Sequence, residues 1–346
     1  MTPSNSTILK MRSLFDPYDK TRRMNLRPID PSRARTRKLA TLSRLVRRDD
    51  FASEVLAGSS FCDFLDSLPE ALGAAQMREL ARAIADTARV KRTFLLMSGA
   101  HPIKVGLAPI ICGMLRDGII SAIATNGAAI IHDFELAYAG RTSEDVGAGL
   151  AEGIFGMADE TGAFLNRAAK LAASETKGLG EIVGREIIAG KLKFRQQSIF
   201  ATAYSVGAPA TVHVTLGADI IHMHPDADGA AIGTATMADF HRLASVVAEL
   251  SRGVVVNLGS AVVMPEVFLK ALNLARNLGR KVSNFTAADM DFIRQYRPRN
   301  NVVERPTENG GRRIILTGHH ELMFPLLAAA VREELARKST KPRRPR

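Results

Sequence analysis

Between about residues 91 and 337 the chain alternates short apolar runs, each closed by small or polar residues, with stretches of helical spacing. Thr93-Phe94-Leu95-Leu96-Met97 ends in Ser98-Gly99. Residues 106–117 then place Leu107, Ile110, Ile111, Met114 and Leu115 on one helical face, and Gly118 closes it. A second apolar run, Ile119 to Ala124, leads into Thr125-Asn126-Gly127 and a helix reaching about Tyr138. Parallel strands need a crossover that is usually helical, so this alternation predicts a parallel sheet wrapped by helices. Further strands are predicted at 210–214, 219–223, 253–258, 281–285 and 313–316, and further helices at 237–251, 266–278 and 321–337. The stretch 140–205, rich in Ala and Glu and punctuated by glycine, reads as a helical insert. The expected architecture is α/β: a doubly wound, mostly parallel, Rossmann-like sheet over 91–337. A basic extension (1–48) and a helical lead-in (49–90) precede it, and a basic tail (338–346) follows.

The net charge of +12 suggests a nucleic-acid binder until it is divided along the chain. Residues 1–48 hold 13 Lys and Arg against three Asp, and residues 337–346 hold six with no acid, so the part between carries −4. Nucleic acid is therefore expected to engage the protein only through the tails. The two cysteines, Cys62 and Cys112, have no metal-type spacing and are expected to be free thiols. The absence of a long apolar run or a leader-type start predicts a cytoplasmic protein with no membrane contact.

In an open parallel sheet, ligands lie at the carboxyl ends of the strands, where helix N-termini offer unpaired backbone N–H groups. Small or polar residues follow the expected strands at Ser98-Gly99-Ala100, Thr125-Asn126-Gly127-Ala128-Ala129, Leu258-Gly259-Ser260-Ala261 and Thr317-Gly318-His319-His320. A fifth stretch, Thr286-Ala287-Ala288-Asp289-Met290-Asp291, adds carboxylates able to hold ribose hydroxyls. No Gly-x-Gly-x-x-Gly follows the first strand. His319, His320 and His101 are expected at strand ends, and His132-Asp133 with Glu135 forms a further acid/base group. His222 and His224 would share a face of a strand near Asp226 and Asp228, but Pro225 and Gly229 favour an ordinary turn, and no metal site is expected.

These segments resemble, in order, those of the deoxyhypusine synthase family. Residues 125–129 with His132-Asp133 are similar to its Thr-Thr-Ala-Gly-Gly…Glu-Glu-Asp loop, and 258–263 to its Gly-Gly-Gly-Val-Val loop. Residues 286–291 are similar to its Thr-Ala-Gln-Glu-Phe-Asp, and Leu322-Met323-Phe324-Pro325-Leu326-Leu327 to its Leu-Val-Phe-Pro-Leu-Leu. The resemblance spans about 93–335. It implies an NAD-dependent transferase acting on a polyamine or small amine, usually a homotetramer with sites at subunit interfaces. It places cofactor contacts on Asn126, Gly127, Ala128, Gly259, Ala261, Thr286, Ala287 and Asp291.

The departures fall on the amine half. The position of the family's imine-forming lysine is Ile315, and Arg312 and Arg313 cannot form an imine. The chain has no tryptophan, whereas the family binds substrate with one. Deoxyhypusine formation is accordingly not expected. The candidates left for catalysis are His319, His320, His132 and Lys104, the last being the well-placed lysine beside the first strand end. Three classes remain open: an altered NAD enzyme acting on an amine or amino acid, an NAD- or metabolite-binding module without catalysis, and an RNA-associated protein working through its basic tails.

Overall fold

The computed structural model describes residues 27–337, so residues 1–26 of the basic extension and the tail 338–346 lie outside the described part. The chain divides into two compact units, Met1–Arg47 and Arg48–Arg346. In the first unit the described residues form short, exposed 3-10 turns at Pro31–Arg33 and Leu39–Thr41. The Asp30 carboxylate caps the earlier turn by accepting from Ser32 N at 2.9 Å.

The second unit begins with helices α1 (Phe61–Ser67) and α2 (Leu72–Arg89). Ser60 and Asp63 cap α1 reciprocally, a capping box that satisfies two backbone donors. There follow β1 (Phe94–Ser98), α3 (His101–Lys104), α4 (Ala108–Arg116), β2 (Ala122–Asn126) and α5 (Gly127–Ala139). The insert contributes α6 (Val146–Glu152), α7 (Asp159–Ser174), α8 (Leu179–Ala189) and α9 (Ile199–Val206). The sheet resumes with β3 (Ala210–His213), α10 (Gly229–Ala248), β4 (Val254–Leu258), α11 (Val263–Asn277), β5 (Thr286–Asp291), β6 (Arg312–Thr317) and α12 (His320–Ala336).

All strand pairs are parallel, in the order β3-β2-β1-β4-β5-β6, which confirms the doubly wound α/β reading. Alternation along each strand divides the core in two. Phe94 and Leu96 face α2, α4, α5 and α12, while Leu95 and Met97 face α10 and α11. Each such side chain, fully buried, contributes about 1.5–3 kcal/mol of transfer free energy. Among the described residues no helix is long and apolar enough to cross a membrane, and Cys62 and Cys112 are free.

Two predicted strands are corrected. Residues 219–223 form a 3-10 turn at Ile220–Met223, whose Ile221 carbonyl accepts from Asn166 Nδ2 rather than from a sheet neighbour. Residues 281–285 lead into a strand but do not form one: Lys281 and Asn284 are exposed, and Asn284 adopts a left-handed φ of 57°. The strand is the next segment, Thr286–Asp291, buried throughout despite two aspartates because Asn257 Nδ2 donates to Asp289 Oδ1 at 2.8 Å. The helix predicted from 237 begins at Gly229, where Asp228 accepts from Ala230 N and Ala231 N.

Two buried carboxylates tie the insert to the sheet layer. Asp133 on α5 accepts from Ser198 Oγ at 2.5 Å and Ile199 N at 2.7 Å, holding the start of α9. Asp239 on α10 accepts from Gly180 N and Val212 N, joining α8 to β3. Burial pushes the Asp133 carboxyl up to about 6 and that of Asp239 up to about 7, the N–H donors offsetting part of the penalty.

Candidate functional site

The strand order reverses between β1 and β4, so the crevice of a doubly wound sheet opens there, at the carboxyl ends. The loop after β4 passes close to the loop after β1: a Cβ on Gly99 would lie 3.2 Å from the Gly259 carbonyl oxygen and 3.8 Å from Asn126 Nδ2. Gly259 has a φ of 68°, and a Cβ there would lie 2.6 Å from the His320 ring. Both the backbone and the space above it require glycine.

The His320 ring is 1% exposed. Its Nε2 donates to the Met290 carbonyl at 3.3 Å and stands 3.6 Å from Asp291 Oδ1, while its buried Nδ1 has no partner. Burial lowers its basicity, with Asp291 and the Met290 bond opposing. His101 and Phe292 contact its edge, with ring centroids 5.2 and 5.9 Å away. His320 thus seals the floor of the crevice. His319 sits outside, 71% exposed and 3.6 Å from Glu321.

The second part of the site lies where β2 feeds α5. Asn126 is the N-cap residue but makes no side-chain cap, and its buried Oδ1 has no partner. The Asp219 carboxyl packs against Gly127, so a side chain at 127 would run into it. Its buried Oδ2 is also unpartnered, and burial pushes its carboxyl up to about 6. Beside it is a cavity of about 150 Å³ lined by Lys104, His132, Glu135, Glu144, Phe155 and Asp219, among others.

A hydrogen-bond relay fixes the tautomer of His132. The Thr142 hydroxyl donates to Glu135 Oε2 at 2.5 Å, so its oxygen must accept from His132 Nδ1, 2.6 Å away. The proton therefore sits on Nδ1 and the lone pair on Nε2. Burial first, and Lys104 second, lower the His132 pKa to about 4, which keeps the ring neutral at neutral pH. With the histidine uncharged, three carboxylates and one ammonium line the cavity, an excess of negative charge that suits a cationic ligand.

Of the residues singled out in the sequence, Asn126, Gly127, Ala128, His132 and Lys104 meet at the start of α5 and its cavity. Gly259 and Ala261 lie in the loop after β4, and Asp291 ends β5, where it accepts from Phe292 N at 2.8 Å. Thr286 and Ala287 do not reach this end. They begin β5 and are buried at the amino edge of the sheet, because the segment read as a loop is itself the strand. His222 and His224 separate: His222 Nδ1 accepts from Gly217 N, while His224 Nε2 donates to the Gly156 carbonyl. Among the described residues no cluster of three or more His, Cys, Asp or Glu is placed to hold a metal ion. Sequence reasoning missed Thr142 and Asp219, the latter because it was absorbed into a predicted strand.

No protein-family model matches the chain, and no curated protein matches it. Solved structures do resemble it. A protein assigned as LOR/SDH from Methanococcus maripaludis S2 has a TM-score of 0.49 and 16% identity over 76% of this chain and 71% of that one. The ternary complex of AgrE with ornithine and NAD+ has a TM-score of 0.51 and 11% identity over 76% of this chain, which spans 34% of AgrE. A protein assigned as a deoxyhypusine synthase from Entamoeba histolytica has a TM-score of 0.45 and 13% identity over 79% of this chain and 93% of that one. At such identities the likeness is one of fold: a six-stranded parallel, Rossmann-like sheet.

Proposed function

We propose that this chain is an NAD-dependent enzyme acting on a small amine or basic amino acid, with the cofactor at the carboxyl ends of β1, β2, β4 and β5. The observation that carries this reading is the Glu135–Thr142–His132 relay opening on an acid-lined cavity at the carboxyl end of β2, between α3 and the start of α5. The residues fit the cofactor in kind. Asn126 Oδ1 is a buried acceptor without a donor, α5 offers an uncapped first turn, and the loops after β1 and β4 are small enough for a close backbone approach. Bound there, NAD would supply a hydride acceptor. Support also comes from the fold shared with AgrE, whose complex holds ornithine and NAD+.

In this reading Asp219 and Glu135 attract and orient the substrate ammonium. His132 Nε2 takes the proton that the amine must lose before its carbon can give up hydride, and the relay stabilises the imidazolium by passing its Nδ1–H toward a carboxylate. Lys104, exposed at the cavity mouth, is a second amine that, after giving up a proton, would add to the resulting imine carbon and expel the substrate's own nitrogen as ammonia or an amine. A homotetramer, the arrangement that the sequence resemblance suggests, belongs to the same proposal.

Calorimetry with NAD, followed by NADH absorbance across a panel of diamines and basic amino acids, tests it. NAD should bind, and absorbance should rise only with amine present. Asp219→Asn should raise KM at least tenfold with NAD affinity intact, and His132→Gln should lower kcat by about 10²–10⁴. Absence of NAD binding to the folded chain would overturn the reading.

A further inference from the structure

The opposite end of the sheet carries a surface of another kind. Lys91 and Arg92 precede β1, Arg252 precedes β4, Arg280 and Lys281 lie ahead of β5, and Arg312 opens β6. Because these strands are neighbours in the order β1-β4-β5-β6, with Phe94, Val254, Thr286 and Arg312 in register, four separate segments deliver their cations to one row. At the usual spacing between strands the row is about 14 Å long.

All six side chains are exposed. Arg312 stands 3.6 Å from Glu79, whereas the other five have no ion-pair partner among the described residues. Between them runs an open cleft of about 440 Å³ lined by Lys91, Arg92, Thr93, Ser251, Arg280 and Lys281, with Glu249 as its single carboxylate. Lys91 and Arg252 hold left-handed backbone, with φ of 53° and 59°, where glycine would be less strained.

This concentration occurs in a part of the chain whose net charge is slightly negative, so it is not a by-product of composition. Helix C-termini at this edge draw cations through their dipoles, but that effect fades within the last turn, and Arg92, Arg252 and Lys281 lie beyond it. α12 ends at the same edge, where Arg89 donates to the Arg337 carbonyl. The sequence then continues with Lys338, Lys341, Arg343, Arg344 and Arg346.

The geometry points to this amino-end face as a binding surface for the phosphate backbone of single-stranded RNA, recognised by charge and not by sequence. A row of cations across four strand starts, five of the six without an ion-pair partner among the described residues, fits a chain of phosphates better than one phosphate, which would need donors converging on a point. The surface is separate from the cavity beside α5, so the inference does not depend on the proposed NAD chemistry.

Fluorescence anisotropy of the full chain with a 20-nucleotide uridine oligomer tests it, against a variant carrying Lys91→Ala, Arg92→Ala, Arg280→Ala and Lys281→Ala. With roughly five phosphates neutralised, affinity should fall about a hundredfold between 50 and 200 mM salt. The variant should bind at least tenfold more weakly at 100 mM salt and lose about 3 from the slope of log K against log salt. Circular dichroism and thermal melting establish that it is folded.

Unchanged affinity and slope in the folded variant would overturn the inference. So would binding that disappears only on deleting 338–346. Two further results would also overturn it: saturable competition by millimolar inorganic phosphate, which would mark a small-anion site, and co-sedimentation with phosphatidylserine vesicles in the absence of RNA binding, which would mark a membrane surface.

Discussion

The two ends of one sheet are built on opposite principles. At the carboxyl ends of the strands, polar groups are buried and under-satisfied: Asn126 Oδ1, Asp219 Oδ2 and His320 Nδ1 have no partner, and the packing leaves no room for a side chain at Gly127 or Gly259. At the amino ends, charges are exposed in a single row, and among the described residues all but Arg312 lack an ion-pair partner. Burying a polar atom without a partner costs about 1–3 kcal/mol, while an exposed cation costs almost nothing. The carboxyl end is therefore where the fold gives up stability, as the proposed ligand site would require, and a partner at the amino end, as proposed, would cost folding little.

The largest expected effect breaks the carboxyl end. Gly259→Val introduces both a left-handed β-branched residue and a collision with the His320 ring, and urea unfolding should show a loss of about 3 kcal/mol or more together with loss of NAD binding. The pair Gly259→Val with His320→Ala should recover part of that stability by opening space. If the double variant is no more stable than the single one, His320 is not the obstacle.

A smaller effect concerns the buried acid Asp239, which lies against β3 at the sheet edge away from the cation row. The folded-state pKa of Asp239 is pushed up to about 7, while in the unfolded chain it is an ordinary carboxyl. Between about pH 4 and 7 the folded state holds a proton that the unfolded state has lost, so this residue's contribution to stability falls as pH rises through that window and is level above it. Asp133, Asp219 and Asp289 are each pushed up to about 6 and act in the same direction, so the comparison must be between parent and variant. Relative to Asp239→Asn, the parent should lose on the order of a few kcal/mol between pH 4 and 7.5. A difference that does not change with pH would mean that the carboxylate is ionised throughout.

The smallest effect sharpens the contrast. Arg252→Gly relieves left-handed strain and adds chain entropy, so its unfolding free energy in urea should stay within about 0.5 kcal/mol of the parent's, even as RNA affinity drops severalfold. A large destabilisation would show that Arg252 is there for the fold.

What the sequence made legible follows from where apolar residues are dense. β1, β3, β4 and β6 are recognisable because their runs are apolar and end in turn residues. β5 is not, because Ala287, Ala288, Asp289 and Asp291 look like a loop until Asn257 is known to pair with Asp289 across the sheet. The family resemblance placed Thr286 and Ala287 in the expected cofactor set, but they begin β5 at the amino edge of the sheet. At the site, Asn126, Gly127, His132 and Lys104 were within reach of sequence reasoning, since strand ends and short helix spacings are local. Thr142 and Asp219 were not: the first matters only because a loop folds back onto α5, and the second because a residue 92 positions away packs on Gly127.

The bond from Asp133 to the start of α9 bears on how this architecture can be taken apart. The helical insert looks like an accessory that could be exchanged or excised at residues 140 and 205, leaving a smaller sheet protein. Its removal would strand a buried carboxylate on α5, next in sequence to His132, with no Ser198 or Ile199 donor to receive it. Insert and α5 therefore form one structural unit, and exchanging this region between proteins requires moving α5 with it.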